Sequence, residues 1–167
     1  MEIGFVILGA ILATYGWYWG GVTESRTSAY AMGAGSLMLA FAFAFSGGSW
    51  DVVTGSVFAF GAIYGFLATA NAWNESSQDR TYGLFALLFG VVALFGYSVA
   101  VDADLPGQFG LGSLAIAGAM ALHFISAALV PTNKGFKAFV GWVTLGVGVA
   151  LIYFGFAEAL DQGFDPL

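Results

Sequence analysis

Six stretches of this chain contain no charged residue: 3–23, 27–50, 52–74, 81–101, 105–133 and 138–157, each 20 to 29 residues long. A helix needs about 20 apolar residues to cross the roughly 30 Å hydrocarbon layer of a bilayer. A transmembrane strand needs about half that length and alternates apolar with polar side chains; these stretches do not alternate. Backbone amides surrounded by lipid must find partners inside the protein, and a lone segment can do so only as a helix. The pattern therefore predicts an all-α integral membrane protein with six transmembrane helices, at about 3–20, 30–46, 52–73, 82–101, 109–130 and 137–158. The connections are short, so residues 1–167 read as a single transmembrane domain. The first stretch opens Met1-Glu2 and lacks a basic n-region, which points to a retained helix rather than a signal peptide.

Composition carries the same argument. The chain is 59% hydrophobic and 8% charged, against about a quarter charged in soluble domains. A small domain leaves much of its surface in water, so lipid must be the solvent for most of this one. The net charge of −6, with four basic residues, argues against a nucleic-acid partner and against polybasic attachment to anionic lipid. Cysteine is absent, which excludes a disulfide framework or a thiolate site.

The four basic residues set a direction. Arg26 falls between helices 1 and 2, Arg80 between 3 and 4, and Lys134 and Lys137 between 5 and 6. The other connections and both termini carry acids: Glu2, Asp51, Asp102, Asp104, Asp161 and Asp165. Basic loops stay cytoplasmic, so a multi-pass protein of the cell membrane with both termini outside is expected. Trp17, Trp19, Trp73 and Trp142 fall near inner helix ends and Trp50 near an outer one, as an interfacial aromatic belt would.

Glycine is abundant, 25 of 167 residues. In lipid, small residues let helix backbones approach; Gly33-Ala34-Gly35 and Gly146-Val147-Gly148 are examples. Gly33-Ala34-Gly35-Ser36-Leu37 is similar to Gly110-Leu111-Gly112-Ser113-Leu114, and Ile63-Tyr64 to Ile152-Tyr153. Helices 1–3 are thereby a candidate repeat of 4–6. Three is odd, so the halves would be inverted, a recurrent transporter plan.

The chemistry on offer is sparse. There is one histidine, no cysteine and no intramembrane carboxylate pair, and no HExxH, P-loop or GxSxG motif. No enzyme activity, metal or cofactor is expected. An ionisable group inside a span is a functional candidate by default, which singles out His123; its alternative is a neutral imidazole hydrogen-bonded to a neighbouring helix. Tyr15, Tyr64 and Tyr153 carry hydroxyls that need partners in lipid. Asn71 and Thr144 can bond across helices. Glu158 marks either an outer vestibule or an acid reaching for water. With Phe58 and Trp142, these nine are the candidate pore-lining residues.

The chain resembles the AmiS/UreI amide and urea channel family. Helix 1 reads Phe5-Val6-Ile7-Leu8-Gly9-Ala10-Ile11-Leu12 and then Gly16, similar to the family's opening helix. Thr54-Gly55-Ser56-Val57-Phe58-Ala59-Phe60, Tyr64 and Gly83-Leu84-Phe85-Ala86 are similar to its TG-x-x-F-x-F-x-x-x-Y stretch and the Y-x-LF segment after it. The resemblance implies six helices with outside termini, a urea or short-chain amide as solute, and homo-oligomers, namely hexameric rings around a lipid-plugged centre. The departures concern the solute. The family's fifth helix is rich in tryptophan, and 109–130 has none. Val147 stands five after Trp142 where the family has glutamate, and Tyr15 stands where it tends to have asparagine. The outer-loop histidines of acid-gated members are missing.

A second family, the SatP/YaaH acetate transporters, is similar in Phe139-Val140-Gly141-Trp142 through Ile152-Tyr153 to Glu158 and Phe164, and in Ala31-Met32-Gly33; its NPAPLGL signature is missing. Together these residues predict a membrane channel or transporter for a small polar solute, urea or a short-chain amide first. The alternatives are a small monocarboxylate such as acetate, and a structural or accessory membrane protein that conducts nothing.

Overall fold

The computed structural model describes residues 2–45, 52–74, 79–103, 105 and 107–159. Among them are six α-helices: α1 Glu2–Trp19, α2 Ser25–Phe45, α3 Val52–Asn74, α4 Asp79–Asp102, α5 Gly107–Phe124 and α6 Lys134–Ala159. A π-helical turn, Ile125–Leu129, prolongs α5. The chain is an all-α membrane protein. Five helices, α5 taken with its π turn, are long and apolar enough to cross a bilayer, while the apolar part of α1, Ile3–Trp19, is shorter. At 18 residues, α1 rises roughly 27 Å. It is enclosed by α2, α3 and α6 and buries Phe5, Leu8, Ile11, Leu12, Tyr15 and Trp19. A helix wrapped by its neighbours need not match the lipid along its whole length.

Each helix lies beside the next in sequence, and α6 returns to α1, which closes a ring. The outer surface is apolar, as lipid demands: α4 alone exposes Leu84, Phe85, Leu87, Leu88, Val91, Leu94 and Phe95. Ser36, Thr69 and Thr144 satisfy their hydroxyls locally, each donating to the carbonyl four residues back, of Met32, Gly65 and Val140.

Three helices begin earlier than the charge pattern implies: α2 at Ser25, α4 at Asp79 and α6 at Lys134. Arg26, Arg80, Lys134 and Lys137 therefore lie within the first four residues of helices, not in loops. Long basic side chains can lie along a helix end and still reach water, so stopping each helix at its charges clips it. All four basic residues share one end of the bundle. There Lys137 Nζ sits 4.7 Å above the Trp19 ring, and Tyr30 meets Trp73 edge-on at 5.1 Å. We call this the basic end.

The tightest helix pair is α1 against α6, and glycine makes it so. Gly9 and Gly16 lie seven residues apart on α1, and Gly141 and Gly148 seven apart on α6. Seven residues are nearly two turns, so each pair sits on one face. The helices run antiparallel, with Gly9 opposite Gly148 and Gly16 opposite Gly141. A methyl at Gly9 would lie 2.6 Å from the Gly148 carbonyl oxygen, and one at Gly16 would lie 2.6 Å from that of Gly141. Of the glycines in the sequence pattern, Gly148 belongs to this seam. Gly146 has nothing within 4 Å of its would-be methyl and faces outward. The ring order suits a three-plus-three grouping, but the halves pack unequally: α3 and α4, the counterpart of the α1–α6 seam, meet far more sparsely.

Two ends show why the chain turns where it does. α1 stops in a Schellman motif: Val22 N–H donates to Trp17 O, Gly21 N–H donates to Tyr18 O, and Gly21 takes φ +75°. α6 starts under an Asn133 cap, whose Oδ1 accepts from Phe136 N–H at 2.9 Å.

Candidate functional site

Tyr15 and Trp19 are four residues apart on α1 and so share a face. That face turns inward to His123 of α5, which is completely buried. The Tyr15 ring stacks on the imidazole at 5.2 Å and 28°, and the Trp19 ring lies 4.5 Å from it. Tyr64 of α3 stands edge-on to the imidazole at 6.1 Å. Tyr82, in the first turn of α4, closes the group, 5.5 Å from Tyr15 and 5.0 Å from Tyr64. Four aromatic rings from three helices thus wall one imidazole, at the spacings aromatic pairs prefer.

The imidazole is held at both nitrogens. His123 Nδ1 is 3.1 Å from the Tyr64 hydroxyl, and Nε2 is 2.7 Å from Thr144 Oγ1 on α6. The Thr144 hydroxyl donates its one hydrogen to Val140 O at 2.8 Å. It must then accept from His123, so Nε2 carries the hydrogen. The Nδ1 lone pair is left to accept from Tyr64 O–H. A neutral imidazole in this tautomer satisfies every group in the line Tyr64–His123–Thr144–Val140. This corresponds to the second of the two sequence readings of His123, extended to two neighbouring helices.

The wall around that line is not satisfied. Tyr15 Oη, Tyr82 Oη and Trp19 Nε1 are buried and have no hydrogen-bond partner among the described residues. The Tyr82 hydroxyl and the Asn71 amide lie beside the Tyr15 hydroxyl without closing a bond to it. A buried polar group left unpaired costs about 1–3 kcal/mol, so a hydrogen-bonding solute that reached these groups would relieve them.

His123 lies six residues before the end of the π turn, roughly 9 Å from the basic end at helical rise. On the basic side a cavity of about 110 Å³ opens between α3 and α4, lined by Leu67, Asn71, Asn74, Thr81, Tyr82 and Phe85. Toward the opposite end of the bundle, the acidic end that carries Asp102, aromatic rings pack the interior: Phe5 lies 5.4 Å from Phe58 and 5.9 Å from Phe109, and Phe89 sits 5.7 Å from Tyr64. Glycines seat these rings, Gly4 under Phe58 and Gly112 under Phe5. A second cavity, of about 260 Å³, lies between α4 and α5 at the acidic end, beside Tyr97, Ala100, Leu105 and Leu111. No polar line joins it to the histidine among the described residues.

The fold thus gathers Tyr15, Tyr64, Asn71, His123 and Thr144 from four helices. It does not gather the rest. Phe58 is buried in the acidic half. Trp142 and Tyr153 are 54% and 56% exposed on the outer face of α6, contrary to the expectation that they line the interior. The reason is the seam: Gly141, Thr144 and Gly148 take the inward face, which turns Trp142 and Tyr153 outward. The Glu158 side chain and Trp50 lie outside the described residues. Trp19 was expected in the interfacial belt but is 5% exposed; its spacing of four from Tyr15 is the signal that could have placed it. Tyr82 was missed because it falls at the charged margin of α4, where the span was drawn to begin.

Comparison with family models, with curated proteins and with solved structures finds no match to this chain.

Proposed function

We propose that the chain passes a small, uncharged polar solute across the membrane, urea or a short-chain amide in the first instance. The solute would be selected at the Tyr64–His123–Thr144 line. One observation carries the reading: in a bundle whose outer surface is apolar, a buried polar line sits inside an aromatic wall with unspent hydrogen-bond donors. Aromatic walls offer a hydrated ion no replacement for its water ligands, whereas a planar neutral solute needs few. The packed phenylalanines of the acidic half would have to part for a solute to pass. In this reading the basic end is cytoplasmic and the termini are outside, following the positive-inside rule.

A second reading has its own support. All three unpartnered groups of the wall can donate, the Trp19 indole as a donor only and the two phenols as donors or acceptors, and Lys137 sits over Trp19. Donors beside a cation suit an acceptor-only solute, a small monocarboxylate such as acetate. Light-scattering flux into proteoliposomes separates the two, with urea, acetamide and acetate run in parallel. Acceleration of none of them relative to empty vesicles sinks both and leaves a non-conducting membrane protein.

A further inference from the structure

The α3–α4 cavity and the aromatic wall share one residue. Tyr82 lines the cavity, and its ring lies 5.0 Å from Tyr64, 5.5 Å from Tyr15 and 6.2 Å from His123. Its hydroxyl has no hydrogen-bond partner among the described residues. It therefore stands between a space near the basic end and the closed site behind it. Asn71 does the same from α3: it lines the cavity, is 9% exposed, and sits beside the Tyr15 hydroxyl. Three other polar groups line the cavity: the Asn74 amide, the Thr81 hydroxyl and the Tyr82 phenol. None of the described residues lining it is charged. At about 110 Å³ it has room for several waters or for a solute of a few heavy atoms.

We propose that this cleft is the entrance subsite for a neutral solute bearing both donor and acceptor groups, and that the Tyr82 ring is the door between it and His123. The proposal takes the site from the functional reading above, but it concerns the route in, and it assigns Tyr82 and Asn71 roles that the flux reading leaves open. Solute arriving from the basic side exchanges water for the carboxamides of Asn71 and Asn74 and the hydroxyl of Thr81. A swing of the Tyr82 ring then admits it to the wall, where the Tyr15 hydroxyl is the first donor it meets. The acidic-end cavity shares no described residue with the wall, and Phe5, Phe58 and Phe109 pack together on that side.

The chain has no cysteine, so a single introduced thiol reports its own position without interference. Thr144→Cys places one at the buried line, Ala70→Cys one in the cleft, and Ala100→Cys one beside the acidic-end cavity. Each is labelled in oriented vesicles with a small membrane-impermeant methanethiosulfonate applied to one side, and the rate is read by mass spectrometry. Ala70→Cys is expected to react from the basic side at least tenfold faster than Thr144→Cys. Adding Tyr82→Ala is expected to raise the Thr144→Cys rate tenfold or more from that side, while Tyr82→Phe, which keeps the ring, leaves it within twofold. A Thr144→Cys rate unmoved by Tyr82→Ala, or faster from the acidic side, overturns the proposal. Should Tyr82→Ala fail to fold, Ala70→Trp fills the cleft from its rim. It must then slow basic-side labelling of Thr144→Cys several-fold in an otherwise native chain, and an unchanged rate overturns the proposal equally. Labelling requires no transport, so a silent flux assay with this labelling pattern rejects the conduction reading and keeps the entrance. Flux without the pattern does the reverse.

Discussion

Gly148→Ala and Gly146→Ala add the same methyl to the same helix two residues apart, and the fold predicts opposite outcomes. At Gly148 the new carbon would lie 2.6 Å from the Gly9 carbonyl oxygen. Carbon–oxygen contacts between packed helices settle near about 3.3–3.6 Å. The atoms in the way are α1 backbone, which cannot turn aside, so α1 and α6 must part by roughly 0.7–1 Å along the seam. Overpacking of this kind costs about 1–3 kcal/mol. At Gly146 nothing lies within 4 Å of the added methyl, and alanine is the better helix former by up to about 1 kcal/mol. The two variants should therefore straddle the native protein: Gly148→Ala less stable by about 1–3 kcal/mol, Gly146→Ala equal or slightly more stable. Equilibrium unfolding in mixed micelles, followed by circular dichroism, gives both midpoints in one experiment. Gly148→Ala as stable as the native chain, or Gly146→Ala as damaging as Gly148→Ala, would refute the backbone-to-backbone seam and with it the register that carries Thr144 to His123.

The other predictions concern the site and the first turn. Tyr64→Phe strips the donor from His123 Nδ1 and leaves a buried acceptor unpaired, so it should destabilise the protein by about 1–3 kcal/mol; Thr144→Val should cost a similar amount, and micelle unfolding reads both. Trp19→Ala should lower solute flux several-fold, whereas Trp142→Ala and Tyr153→Ala, on the outer face, should change it by less than twofold; equal effects would undo the inward–outward assignment of α1 and α6. Gly21→Ala puts a side chain at φ +75° and should lower stability by about 1 kcal/mol, seen as a shifted unfolding midpoint with flux through surviving protein unchanged.

The fold was legible because lipid leaves so few choices. Charge-free stretches of 20 to 29 residues could only be spanning helices, and their number and order follow from that alone. Their starts were less legible: charge marks where a side chain must reach water, and Arg26, Arg80 and Lys134 do so from inside the first helical turn. Five of the polar candidate residues lie together in the fold. Tyr15, Tyr64, Asn71, His123 and Thr144 converge because a polar side chain in an apolar bundle has nowhere else to go. Trp142 and Tyr153 did not, since an aromatic ring is as content in lipid as in a core and its identity says nothing about direction. Which way α6 faces was written in the glycines instead, in the matched seven-residue spacing of Gly9 with Gly16 and of Gly141 with Gly148. Read as a register, that spacing turns Thr144 inward and Trp142 outward.

The proposed crossing point for a small polar solute, the walled Tyr64–His123–Thr144 line, can be tested without knowing the physiological solute. Stopped-flow light scattering on proteoliposomes should show urea or acetamide entering faster than into protein-free vesicles, and His123→Leu, which removes both hydrogen bonds while keeping an apolar side chain there, should remove most of that gain. Entry of urea, acetamide and acetate at the rate of protein-free vesicles, with the native protein folded and inserted, would contradict the account. Flux undiminished in His123→Leu would do so as well.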